Sequence, residues 1–127
     1  MKTLLFFFIG TLISIKVYPR QYIQCAEDNS FNRIVVNLNG DQSTLFMTNG
    51  VHIPGHDRKV YNIQLFDESS TFITYKSISS NNNYYIMIPR TRINTASRLF
   101  YITFSKLTVD ESLVFEKKLG CFSSIHN

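Results

Sequence analysis

The sequence predicts an α+β domain: a short N-terminal helix packed on a four- to five-stranded antiparallel sheet, with one disulfide. Three observations lead there. An apolar set near residue 35 has helical spacing, a series of alternating segments follows residue 59, and a cysteine stands at each end of the region.

The helix is read from AEDNSFNRIVVNLNG, which follows Cys25. Phe31, Ile34, Val35 and Leu38 fall at i, i+3, i+4 and i+7, one face of a helix. Asn29 or Ser30 can cap its start, and Gly40 suits the position just past its end. The β-branched trio Ile34-Val35-Val36 argues for a strand instead, and the helix is the reading adopted. Residues 41–59 read as a loop, with turn signals at Asn49-Gly50 and Pro54-Gly55. A hairpin around Asn49-Gly50 using Leu45 to Met47 is the alternative.

From Lys59 the chain reads as strands separated by punctuation. KVYNIQLF places Tyr61, Ile63 and Leu65 on one face and Asn62 and Gln64 on the other. TFITYKSI sets Ile73 and Tyr75 against Phe72 and Thr74. SSNNN is a polar loop, YYIMI ends at Pro89, and RTRINTAS is a basic turn. In LFYITFSK both faces are apolar, with Leu99 and Tyr101 opposite Phe100, Ile102 and Phe104. LVFEKKLGCF closes the series, and His126 is read into a frayed tail. The short connections leave no room for crossover helices, so the sheet is antiparallel.

The first fifteen residues, MKTLLFFFIGTLISI, carry one Lys and then an uncharged run of signal-peptide length. The predicted organisation is a leader over 1–19 and a single domain over 20–127, exported from the cell that makes it. Without Lys2 and Lys16, eleven basic residues face nine acidic ones, a net charge near +2. In an oxidising compartment Cys25 and Cys121 have only one pairing available. A closed loop of about 100 residues is worth roughly 4.7 kcal/mol in the chain-entropy model, a large share of a total stability of about 5–15 kcal/mol. Such a bond also brings the two chain ends together. No metal is expected, because the two Cys and the scattered His52, His56 and His126 lack ligand spacing, and no cofactor is expected either.

No nucleophile elbow, P-loop or glycine fingerprint is present. The predicted strands are poor in titratable groups, and no catalytic residue is assigned. Seven Tyr and eleven Phe with no Trp are ordinary core material, yet aromatic residues flanked by cations can also stack bases. The candidate RNA-binding set is Tyr84 and Tyr85 with Arg90, Arg92, Arg98 and Lys106.

The order of leader, Tyr22-Ile23-Gln24-Cys25, helix, YYIMI, LFYITFSK and terminal Cys121 resembles the ribonuclease-like secreted effectors of powdery mildew fungi. These in turn resemble fungal guanyl-specific ribonucleases. The resemblance implies a sheet from which a Glu base, an Arg and a His acid once projected. Here TFITYKSI holds no carboxylate, Tyr84 or Tyr85 stands at the Arg, and Phe104 of Ile102-Thr103-Phe104 stands at the His. In a second register PGHDRKV retains Arg58, and Ile73-Thr74-Tyr75 again lacks the acid. The implied protein is a catalytically inactive ribonuclease-like effector. It would be monomeric, without membrane contact, and would bind host RNA, ribosomes or a host protein, an immune receptor among the options. Two rival readings are an active ribonuclease using His56 and Arg58, and a secreted β-domain with an apolar pocket for a small ligand.

Overall fold

The computed structural model describes residues 20–27, 33–48, 58–78 and 83–126; the predicted leader lies outside them. Eight antiparallel strands follow one another around a closed barrel. They are β1 (Arg20–Ala26), β2 (Arg33–Leu38), β3 (Thr44–Thr48), β4 (Arg58–Glu68), β5 (Phe72–Ser77), β6 (Asn83–Pro89), β7 (Ser97–Leu107) and β8 (Leu113–His126). Each strand pairs with the next, and β8 returns to pair with β1. Closure leaves no free sheet edge.

This corrects both the predicted α+β class and the ribonuclease resemblance. Where a helix was expected to cover a four- to five-stranded sheet, Arg33–Leu38 is a strand between β1 and β3. Ile34 and Leu38 are four apart, which suits one helical turn and two strand repeats alike, so they could not discriminate. Val36 does: it is fully buried beside them, in period two. Phe31, Asn29 and Ser30 lie outside the described residues. Thr44–Thr48, read as loop, is β3 and pairs with β4. Residues 20–26, which carry no predicted strand, form β1, and its pairing with β8 closes the barrel. His126 is likewise no frayed tail: it ends β8 opposite Arg20 and packs edge-on against Tyr22 at 5.0 Å.

The later strands keep the faces expected of them. Phe100, Ile102 and Phe104 are buried, while Leu99 and Tyr101 are exposed. Ile73 points inward and Phe72 outward. Leu65 keeps the parity of Ile63 and pairs with Tyr75, but it stands beside a bulge between Leu65 and Asp67, and both Leu65 and Phe66 are exposed. The outer apolar residues of β7 have a partner of their own. Leu99 and Tyr101 lie across Gly120, where a Cβ would stand 3.3 Å from Leu99 Cδ1 and 3.7 Å from Tyr101 Cε1.

The core fills the barrel: Ile23, Val36, Leu45, Ile63, Ile86, Ile88 and Ile102 are all nearly or fully buried. β-Branched residues suit this space because their stiff side chains pack well on a pleated surface. The interior is apolar, and on the outer wall Gln64, Lys76, Glu116 and Lys118 alternate with exposed apolar residues such as Val60, Phe66, Leu99 and Phe122. Tyr75 also faces the core, and burial, reinforced by Glu68, pushes its pKa up.

Cys25 and Cys121 are bonded and stand directly opposite each other on β1 and β8. The predicted pairing is therefore the seam of the barrel, with Cα atoms 4.1 Å apart.

One end of the barrel is plugged. The β6–β7 connection, including a 3-10 turn at Arg90–Arg92, is tied to Gln21, which is fully buried. Gln21 Nε2 donates to Arg92 O (2.7 Å) and Thr95 O (3.2 Å), and its Oε1 accepts from Asn94 N (2.8 Å). Ser123 Oγ donates to Thr95 O at 2.6 Å and accepts from Ser97 N at 3.0 Å. Asn94 has a φ of 56°, a left-handed conformation that Asn tolerates better than most residues. Gln21→Leu should cost about 1–3 kcal/mol, because it removes the three hydrogen bonds by which a buried amide holds the connection. Urea unfolding checks the loss, and faster amide exchange at Asn94 locates it.

Candidate functional site

Opposite the plug, the barrel interior holds a cavity of about 200 Å³. It forms because the inward stripe changes character along the strands. Isoleucine dominates the middle, while at this end the inward positions carry Tyr61, Tyr84, Phe104 and Phe115. The rings run in sequence across β4, β6, β7 and β8. Tyr61 and Tyr84 have centroids 5.2 Å apart, Tyr84 and Phe104 stack nearly parallel at 5.6 Å, and Phe104 meets Phe115 at 5.5 Å. Tyr84, Phe104 and Phe115 line the cavity together with Ile34, Met47 and Leu119.

Its rim is polar. Among the described residues, Glu27 just after β1, Arg33 at the start of β2, Thr48 and Lys117 join the lining. Lys117 Nζ stands 2.8 Å from Glu27 Oε1 and 5.1 Å from the centre of the Phe115 ring. Lys106 Nζ lies 5.5 Å from the centre of the Tyr84 ring. Cations over ring faces are favourable, more so where water is partly excluded. Among the described residues the site thus offers a ring-lined apolar space edged by Arg33, Lys117 and Glu27, with Lys106 standing over the Tyr84 ring.

The six residues read as an RNA platform are divided by the fold. Tyr84 is buried inside the barrel, while Tyr85, its neighbour on β6, points outward. Tyr85 meets the edge of Phe66 at 5.1 Å and lies beneath Lys76, whose Nζ is 5.6 Å from its ring centre. Lys106 joins Tyr84 at the cavity end. Arg90, Arg92 and Arg98 stand at the plugged end, where the Arg92 guanidinium sits 5.8 Å from the Phe100 ring centre and reaches Ser97 Oγ at 3.4 Å. Eight residues of strand separate Arg98 from Lys106, about 26 Å at the usual rise. Of the two tyrosines, only Tyr84 is brought against a cation of the set, Lys106.

Phe104 is a core ring and occupies no catalytic face, because the sheet is rolled closed around it. His52 and His56 lie outside the described residues, as does the side chain of Arg58. Among the described residues, no group of three or more His, Cys, Asp or Glu is placed to hold a metal, and no helix is long and apolar enough to cross a membrane.

Sequence reasoning missed Glu27, Arg33, Met47, Phe115, Lys117 and Leu119 as a site. One signal was readable. Phe115, Lys117, Leu119 and Cys121 alternate on one face of β8, so a lysine interrupts an apolar stripe. An inward lysine among apolar residues marks either a pair or a ligand contact.

Fold and site together define a class: an up-and-down eight-stranded barrel, stapled at its seam, plugged at one end and, among the described residues, with a cavity towards the other. Comparison with protein-family models, curated proteins and solved structures finds no match to this chain.

Proposed function

We propose that this chain is an exported binding protein that holds one small, largely apolar organic molecule inside its barrel. The observation that carries the reading is the ring-lined cavity of about 200 Å³ opposite a hydrogen-bonded plug. Eight-stranded barrels have an interior that side chains fill or that keeps room for one small ligand. An apolar cavity of about 150 Å³ accepts benzene, whereas drug-sized ligands take about 300–1,000 Å³. The expected ligand is therefore a single ring or a short chain. The disulfide and the charged-then-apolar N-terminal run support export. Ribosomes or a host protein as partners rested on the ribonuclease resemblance, which the barrel replaces, and RNA rested also on the aromatic and basic set, of which Tyr84 is buried in the core.

Toluene and indole, titrated into the oxidised protein and followed by saturation-transfer NMR, test the proposal. Both should bind, and Met47→Trp, which fills the cavity, should weaken them by roughly tenfold or more while the melting curve stays cooperative. Absence of binding, or binding indifferent to Met47→Trp, would count against the barrel interior as the site.

A further inference from the structure

We infer that a second copy of this chain packs on the outer wall of β7, β8 and β1, in a two-fold pair centred on Leu99, Tyr101 and Phe122. Such a pair is independent of the ligand inside the barrel, and it departs from the monomer implied by the ribonuclease resemblance.

This wall leaves large apolar side chains in water. Leu99 is 67% exposed, Tyr101 55% and Phe122 54%, although the first two lie across Gly120. They stand together because Tyr101 pairs with Gly120, and Phe122 comes two residues later on the same face of β8. An aromatic side chain offers roughly 150–250 Å² for burial, so the bare parts of the three amount to on the order of 300 Å². A contiguous apolar patch of about that size is an interaction site more often than scattered single residues are. Stable contacts bury about 800 Å² on each partner, with an apolar centre inside a polar rim. The outward neighbours Gln24, Thr103, Lys118 and Ser124 form such a rim around these three residues.

The same wall of another copy fits this surface. A closed barrel has no free edge, so a partner cannot add a strand and must pack side chain against side chain. A two-fold contact requires projection and recess on one surface, because each copy presents the same patch. Both are present. Leu99 and Phe122 project, and beside them a groove of about 230 Å³ runs over Gly120 and the Cys25–Cys121 seam, lined also by Gln24, Ala26 and Arg33. Gly120 helps to form it by carrying no side chain. A space of about 150 Å³ holds a benzene ring, so the groove takes one ring of the second copy while offering Phe122 in return. A contact of this modest size belongs in the micromolar range.

Sedimentation equilibrium of the oxidised protein over a roughly hundredfold span of micromolar concentrations tests the pair. Wild type should pass from monomer to dimer and stop there, because a two-fold contact closes at two copies. Phe122→Glu and Leu99→Glu should each raise the dissociation constant by roughly tenfold or more, since every substitution enters the contact twice. Val60→Glu, on an equally exposed residue four strands round the ring on β4, should leave it unchanged. If Phe122→Glu does not fold, Leu99→Glu reads the same contact. A wild type that stays monomeric overturns the pair, and flotation of that monomer with phosphatidylcholine vesicles would assign the wall to a lipid surface instead. Growth beyond dimers overturns the two-fold arrangement. Equal weakening by Val60→Glu overturns the placement on β7, β8 and β1.

Discussion

Replacing both cysteines, as Cys25→Ala with Cys121→Ala, is expected to lower the unfolding free energy by about 4–5 kcal/mol. The bond joins residues 96 apart, and for a loop of that length the chain-entropy model gives roughly 4.7 kcal/mol. Two structural facts place the effect near the full value. The cysteines are direct cross-strand partners, so the bond holds a pairing that the sheet already makes. They also sit at the seam, where the first strand must find the last, and this is the pairing with the largest loop-closure cost in the fold. The melting midpoint should fall by about 20 °C or more for a domain of this size. Urea unfolding of the oxidised protein and the double variant measures the difference. A change below about 1 kcal/mol would show that the unfolded chain already keeps its ends together.

Phe104→Ala is the second large effect, expected to cost about 3–5 kcal/mol. Phe104 is buried, stacks on Tyr84 and touches Phe115, so its removal takes the central ring from a row of aromatic contacts. It also enlarges the cavity, so a two-ring compound such as naphthalene should bind the variant better than wild type. Leu99→Ala, on the outer face of the same strand, should cost less than about 1 kcal/mol, although Leu99 does lie against Gly120. Parallel denaturation of the two variants reads the difference between the faces directly. Similar losses at Phe104 and Leu99 would contradict the assignment of inside and outside on β7.

The contrast between those two residues shows how far sequence reasoning reached. Alternation placed Phe100, Ile102 and Phe104 together without any structure, because side-chain direction in a strand depends only on parity. It fell short at Leu65, which keeps the parity of Ile63 but stands exposed beside a bulge that no residue type announces. It erred at Ile34 and Leu38, whose spacing serves both periods. The aromatic platform failed to assemble for a related reason. Tyr84 and Tyr85 are adjacent in sequence and so fall on opposite sides of one sheet, and the arginines cluster at the far end of the barrel.

From its sequence alone this chain determined its antiparallel character, the faces of most later strands and the pairing of Cys25 with Cys121, since each depends on local periodicity or on counting. Only the tertiary structure decided that the sheet closes, that residues 20–26 and 33–38 are wall strands, and that Glu27 meets Lys117 above a ring of aromatic side chains. The physical reason is that closure depends on a pairing between the first and last strands. That pairing brings together residues 94 to 106 positions apart, and no local pattern encodes it.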